Sequence, residues 1–171
     1  FSRVVIAAND PNPKASGGAK ILRNSNIEVV ENVCTEKSKK LNRRFFTFFE
    51  KKRPYVILKI ASTLDGFIAE LNGHSKWITN EKSRQSVHKL RSTCDAILVG
   101  RKTIEIDDPS LTSHGYGKDP RIIIFDPKNK INKKYKVLDK NPIIFSGMDL
   151  KNNLQKNIIY VLSELYTKSY Q

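Results

Sequence analysis

Residues 95–112, DAILVGRKTIEIDDPSLT, run an apolar strand-like stretch into Gly100, then two cations (Arg101, Lys102), a hydroxyl (Thr103) and an acidic pair (Asp107, Asp108) before Pro109. A strand that delivers a glycine, cations and a threonine to a helix start can cradle a phosphate, because the first amides of a helix are free and its dipole is positive there. The spacing is neither a Walker loop nor GxGxxG. A phosphate cradle and an ordinary strand-end turn are therefore both open, and Asp107 and Asp108 before a proline equally suit a turn.

Two further places carry chemistry. Lys59 lies inside the apolar run YVILKIAST, where burying an unpaired cation costs several kcal/mol. It is either an edge residue whose side chain reaches water, or a cation placed to polarise a substrate oxygen as charge develops on it. Trp77, the single tryptophan, follows Ser75 and Lys76 in GHSKWIT. It reads as a core anchor or a cover for the helix end, or as a flat surface beside a ring-bearing ligand with a hydroxyl and a cation next to it.

Other chemistries find little support. His74, His88 and His114 are scattered, Cys34 and Cys94 are far apart without a CxxC, and no Ser or Cys stands in a nucleophile signature. Neither a zinc set nor a nucleophile-base pair is visible, so the expectation is no metal, reduced thiols, and no hydrolytic or covalent catalysis.

The elements that would position these residues follow from periodicity. FSRVVIAA reads as a buried strand, AKILRNSN as a short helix and IEVVENV as a second strand. From Thr35 as N-cap, Leu41, Phe45 and Phe48 fall at helical spacing to about residue 49. The charges at Glu50–Arg53 and then Pro54 mark a boundary. Beyond it come a strand YVILKIAST with the turn LDGF, a helix over Asn80–Arg91 with Arg84 and Arg91 seven apart, and the Ile-rich runs DAILVG, RIIIFD and PIIFS. Such runs suggest a sheet buried on both faces, hence an α/β layout. KNKINKKYK reads as a basic surface loop, and NIIYVLSELYTKSY as a helix that reaches the end of the chain without a C-cap.

The 171 residues suffice for one core of ordinary size. A net charge of +14 would attract phosphates, nucleic acid or anionic membrane without saying which. No apolar run approaches the roughly 18 residues of a membrane span, and no secretory signal is visible, so a soluble, cytoplasmic protein without a membrane partner is expected. Phe1 does not look like a translation start, and the reading is of a fragment.

Taken together, RPYVILKIASTLDG, HSKWITNEKSRQSVHKLRSTCDAILVGRKTIEIDDPSLT and PRIIIFD resemble the reductase domain of the bifunctional riboflavin-biosynthesis deaminase-reductases. The ordered features are a strand with its lysine, Leu-Asp-Gly, Ser-x-Trp-Ile-Thr, a helix ending in Leu-Arg, Gly-x-x-Thr and Asp-Asp-Pro-x-Leu-Thr; Thr63 replaces no key residue. VVIAANDPNPKASGGAKILRNSNIEV and LNRRFF resemble the end of that family's deaminase domain, while its zinc motifs, His-x-Glu and Pro-Cys-x-x-Cys, are absent.

The resemblance implies an incomplete dihydrofolate-reductase-like α/β domain over residues 54–171, preceded over 1–53 by the C-terminal part of a cytidine-deaminase-like α/β domain. It implies NADPH-dependent reduction of the ribosyl side chain of 5-amino-6-(5-phosphoribosylamino)uracil to the ribityl form. Ala61, Trp77, Thr103 and Asp107 would line the NADP site, with Arg101 and Lys102 only aids to the cofactor's phosphates. Ser75, Arg91 and Leu111 would contact the small phosphorylated pyrimidine, and Lys59 would be catalytic, polarising the carbonyl that receives hydride. The intact parent would be a homodimer, and zinc would belong only to the absent part of its deaminase domain.

Two departures accompany the resemblance. His114 stands where the family usually has an arginine near the substrate phosphate. A downstream glutamate and a glycine-rich segment would lie beyond Gln171, leaving this fragment short of the full set of contacts. The competing readings are a basic nucleic-acid-binding module and a non-catalytic dihydrofolate-reductase-like domain. The dispersed cations and core-spaced aromatics speak against the first.

Overall fold

The computed structural model describes residues 1–132, 134–147 and 154–168, and of residues 154–157 the backbone only. The chain divides into two compact units, Phe1–Val56 with Leu162–Gln171, and Ile57–Val161.

In the first unit a parallel pair, β1 (Arg3–Val5) and β2 (Glu28–Val30), is joined through helix α1 (Gly18–Asn24). This is the expected strand-helix-strand, but β1 is not the buried strand its apolar run suggested: Val5 is exposed and Val4 half-buried. A sheet of two short strands has too little surface to cover both faces. The expected single helix from Thr35 is two, α2 (Thr35–Leu41) and α3 (Arg43–Lys51), broken at Asn42. Thr35 is not the cap. Cys34 holds that position at φ 66°, and the Thr35 hydroxyl donates to the Ala7 carbonyl at 3.0 Å. The break changes which residues face inward, so Leu41 is exposed while Phe46 and Thr47 are buried. Phe48 packs on Tyr166, with ring centroids 4.8 Å apart.

In the second unit three parallel strands, β3 (Ala96–Gly100), β4 (Arg121–Phe125) and β5 (Ile143–Phe145), lie in the order β3-β4-β5. Helix α4 (Glu81–Ser92) precedes β3, and α5 (Arg101–Asp107) follows it without an intervening loop. The alternating strands and helices bear out the α/β layout. Burial on both faces holds for the central strand alone. Ile122, Ile123 and Ile124 of β4 are all buried, whereas Leu98 on β3 and Ile144 on β5 are exposed, as edge strands permit. The core beside this sheet joins Ile104, Leu111, Ile122, Ile124 and Val137, with Ile97, Val99 and Tyr135 packed against it. Val137 belongs to a short 3-10 helix, Lys136–Lys140. The last helix, α6 (Leu154–Thr167), covers most of the expected C-terminal helix; Ser169, Tyr170 and Gln171 lie outside the described residues, as does Lys133 of the basic loop.

One segment departs from expectation outright. YVILKIAST, read as a strand, has no regular secondary structure over residues 55–63 and belongs to no ladder among the described residues. Val56 to Ile60 are consecutively exposed instead of alternating, so neither face of the segment is packed.

The C-terminal edge of the sheet is held by a buried charge. Asp126, directly after β4, has 0% exposure. Its Oδ2 accepts the Ile131 amide at 2.7 Å, and its Oδ1, which has no hydrogen-bond partner, lies at ion-pair distance, 3.3 Å, from Nε of Arg101, the first residue of α5. Arg101 also donates to Glu105 at 2.6 Å. Removing the cation from a buried carboxylate leaves that charge uncompensated, whereas a partly exposed i,i+4 pair contributes little. Arg101→Ala should therefore cost ~3 kcal/mol, and Glu105→Ala less than about 0.5 kcal/mol, in urea unfolding of the two variants. Equal losses would show that Asp126 does not depend on Arg101.

Candidate functional site

Gly100 ends β3 at φ −77° and ψ 154° and serves as the N-cap of α5, with no side chain capping the helix. The leading amides of α5 thus lack a side-chain acceptor, and Lys102 and Thr103 are exposed beside them. A Cβ added at Gly100 would meet nothing within 4 Å. Neither backbone angle nor packing calls for glycine here, and the space over the start of the helix is open. Arg101, by contrast, is committed to Glu105 and Asp126.

The loop before α4 is built from side-chain-closed turns. The Thr63 hydroxyl accepts the Phe67 amide at 2.9 Å, Thr63 N–H donates to the Phe67 carbonyl at 2.8 Å, and Gly66 supplies the φ of +90° that the turn needs. Thr63 therefore closes the turn that Leu64–Gly66 forms. Farther on, Ser75 is half-buried and Trp77 is 71% exposed. Trp77 is not a core anchor: its ring lies under the Arg84 guanidinium, 4.3 Å from the ring centroid. Arg84 is held there by donating to the Thr79 carbonyl at 2.7 Å, and Asn80 caps α4 by accepting the Ser83 amide. The α4 start thus positions a stacked cation-aromatic pair at the surface.

Arg84, His88 and Arg91 fall at i, i+4 and i+7 of α4 and form one stripe. The loop after α5 meets it. Asp108 ends α5 at φ 37°, and its carboxylate accepts the Lys136 amide at 3.0 Å. Leu111 is buried at φ 53°, and the Thr112 carbonyl accepts from Arg91 at 3.2 Å. Buried Ser113 gives its amide to Asp119 at 2.8 Å and shares its hydroxyl between the Gly117 carbonyl at 2.7 Å and the same carboxylate oxygen at 2.9 Å. This frame brings the His114 ring to 4.0 Å from that of His88, tilted by 38°.

The electrostatics of this face are one-sided. Burial, then His114, then Arg91 and Arg84, hold the His88 imidazole below its ordinary pKa, and burial lowers that of Arg91. His88 Nδ1 and Arg91 Nε are both sealed from solvent without a hydrogen-bond partner. Such orphaned groups cost about 1–3 kcal/mol each. The hydrogen bonds from Ser113 hold the Asp119 carboxyl below its usual range, as the Lys136 amide does for Asp108. Among the described residues no carboxylate pairs with Arg91.

The expected site residues are only partly drawn together. Arg91 donates to the carbonyl of Thr112, the residue after Leu111, and Lys76, between Ser75 and Trp77, lies near enough to Asp108 to act on its carboxylate. Thr103 is exposed and Asp107 half-buried on α5 itself. Lys59 and half-buried Ala61 sit on the unpaired 55–63 segment, and no hydrogen bond or ion pair among the described residues joins them to the others. Because Lys59 is exposed with its neighbours, the burial cost that its apolar context suggested does not arise. The histidines read as scattered are not: His88 and His114 are a pair, and the i+4 relation of His88 to Arg84 was the available signal. Among the described residues no group of three or more His, Cys, Asp or Glu is placed to hold a metal, and no helix is long and apolar enough to cross a membrane.

The sequence profile described as "RibD C-terminal domain" matches residues 54–169. A riboflavin biosynthesis protein RibD of Aquifex aeolicus is 48% identical over 142 residues, covering 81% of this chain and 40% of the relative. Another, from Chlamydia pneumoniae, is 33% identical over 171 residues, covering 96% of this chain and 45% of the relative. A solved diaminohydroxyphosphoribosylaminopyrimidine deaminase/5-amino-6-(5-phosphoribosylamino)uracil reductase of Thermotoga maritima superposes with a TM-score of 0.85 at 38% identity, covering 99% of this chain and 52% of the other. The chain therefore spans about half the length, or less, of the proteins it matches.

His88 also sets a pH dependence of stability. Its folded pKa lies below the ordinary imidazole value, so the unfolded chain takes up the proton first, and stability falls as pH drops through about 6.5. Between pH 7.5 and 5.5 the urea midpoint should decrease, and His88→Asn should shrink that decrease. An identical decrease in the variant would place its origin elsewhere.

Proposed function

We propose, since this chain belongs to the RibD C-terminal domain family over residues 54–169, that it carries the reductase part of a bifunctional riboflavin-biosynthesis deaminase-reductase. The reaction is NADPH-dependent reduction of the ribosyl side chain of 5-amino-6-(5-phosphoribosylamino)uracil to the ribityl form. The observation that carries this reading is the match across 54–169, which contains every motif from the Lys59 segment to Asp-Asp-Pro-x-Leu-Thr in order. Residues 1–53 then correspond to the end of a deaminase domain whose zinc motifs are not in this chain, residues 54–171 form the reductase part, and the functional protein is a cytoplasmic homodimer.

The residues fit a dinucleotide phosphate at the start of α5. There the space beside Gly100 is open, the leading amides have no side-chain acceptor, and Thr103 stands exposed with a free hydroxyl face. Ala61, Trp77, Thr103 and Asp107 are assigned to NADPH, Trp77 offering a flat exposed ring. When bound, the cofactor supplies hydride to C1′ of the sugar. Lys59 polarises the oxygen that gains charge at that carbon, a task for which an exposed ammonium is suited. Ser75 and Leu111 position the pyrimidine, and Arg91 binds the substrate phosphate through a guanidinium that can take two oxygens at once.

Trp77 is the sole tryptophan, so its emission reports on this surface without ambiguity. NADPH should quench it. Gly100→Ala should weaken that binding at least about tenfold while costing only about 0.5 kcal/mol of stability, as an N-cap change does. Unchanged NADPH affinity in Gly100→Ala would remove α5 from the cofactor site. In turnover, loss of nicotinamide absorbance should require the aminouracil substrate, and Lys59→Met should lower kcat on the order of a hundredfold. NADPH oxidation independent of substrate, or full kcat in Lys59→Met, would rule out this assignment.

A further inference from the structure

The stripe on α4 and the loop facing it hold more positive charge than the fold uses. Arg84 is engaged by the Trp77 ring and the Thr79 carbonyl. Arg91 gives one nitrogen to the Thr112 carbonyl but leaves its sealed Nε without an acceptor. His88 Nδ1 is sealed and unpartnered in the same way. From the opposite side, His114 stacks on His88 with its ring centroid 4.0 Å away. The acid facing this pair is Asp119, whose carboxylate already accepts the Ser113 amide and hydroxyl and lies 3.8 Å from Lys140 Nζ. Lys89, also on α4, points to the Tyr116 ring instead.

Two imidazoles at this separation cannot both carry charge beside two guanidiniums without an anion to offset the repulsion. They can do so once a dianion arrives to offset that repulsion.

We infer that His88 and His114 form, with Arg91, a proton-coupled receptor for a dianionic phosphate monoester, in which the anion enters together with a proton taken up by the imidazole pair. The inference rests on the reading of this face as the phosphate side of the substrate site, and it assigns to His88 a binding role of its own. The depressed basicity of free His88 follows from the same burial and neighbouring charges, and a bound dianion reverses the electrostatic part of it. Phosphate uptake then strengthens as pH falls from 8 toward 6. Arginine at position 114 would instead be charged throughout that range.

Sulfate separates the protein's titration from the ligand's, because it stays a dianion where a phosphate monoester, with a second pKa near ~6, does not. Sulfate affinity should rise about tenfold between pH 8 and pH 6, the effect of one pKa unit on a single linked group. Calorimetry in buffers of different ionisation heat should register proton uptake. With only three histidines in the chain, the imidazole resonances of His74, His88 and His114 can be followed directly by NMR in the unmodified protein. That of His88 should titrate at higher pH when sulfate is present. His88→Asn and His114→Asn should each flatten the pH dependence.

Ribose 5-phosphate should displace sulfate. Displacement by adenosine 2′-monophosphate alone would assign the receptor to the cofactor and overturn the inference. Sulfate binding without proton uptake would overturn the linkage and leave the phosphate reading standing. Failure of sulfate, inorganic phosphate and ribose 5-phosphate to bind at any pH would remove both.

Discussion

A carboxylate with no solvent-exposed surface must be compensated inside the protein, and the Asp126 pair with Arg101 does this at the point where the functional end of the sheet is built. Asp126 follows β4, Arg101 starts α5, and the Asp126 Oδ2 bond to the Ile131 amide ties in the next loop. One buried charge thus fixes the end of the central strand to the beginning of the helix whose amides face open space. Breaking such a pair is expensive because the remaining charge stays desolvated. The apolar cluster around Ile104 and Ile124 supplies most of the burial here, but it is non-directional; the ion pair gives the helix start its place.

From that anchored edge the α4 face acquires its character. The loop after α5 passes through Leu111 and Ser113, both buried, before it reaches His114. Its path is set by left-handed residues at Asp108, Leu111 and His114, and by the Asp119 carboxylate, which accepts the Ser113 amide. The result is a surface where guanidinium and imidazole groups converge while the neighbouring acid is already occupied. Such a surface gains from an anion that offsets the repulsion among its cations.

Much of this was legible in the residues. The helix over 80–91, the three Ile-rich strands, and the strand-to-helix junction at Gly100 all follow local rules of periodicity that need no distant partner. The break at Asn42 and the exposure of Leu41 were not, because one residue of irregular backbone turns the apolar face and the side-chain spacing alone does not record it. The run from Tyr55 to Thr63 has the composition of a strand, yet composition states only that these residues gain from burial. Whether a ladder forms depends on a second strand to accept the amides, and none of the described residues provides one.

The order of motifs along the chain, by itself, determined the α/β class, the family and the candidate residues, because turn chemistry, strand runs and short polar signatures are written in neighbouring positions. Only the tertiary structure decided which of them act together. It spent Arg101 on Asp126 rather than leaving it for a ligand, put Trp77 at the surface beneath Arg84, and stacked His88 on His114 across 26 residues of chain. The physical reason is that each of these pairings depends on where a loop returns, and loop paths are set by buried polar partners and left-handed backbone positions that spacing in the sequence does not encode.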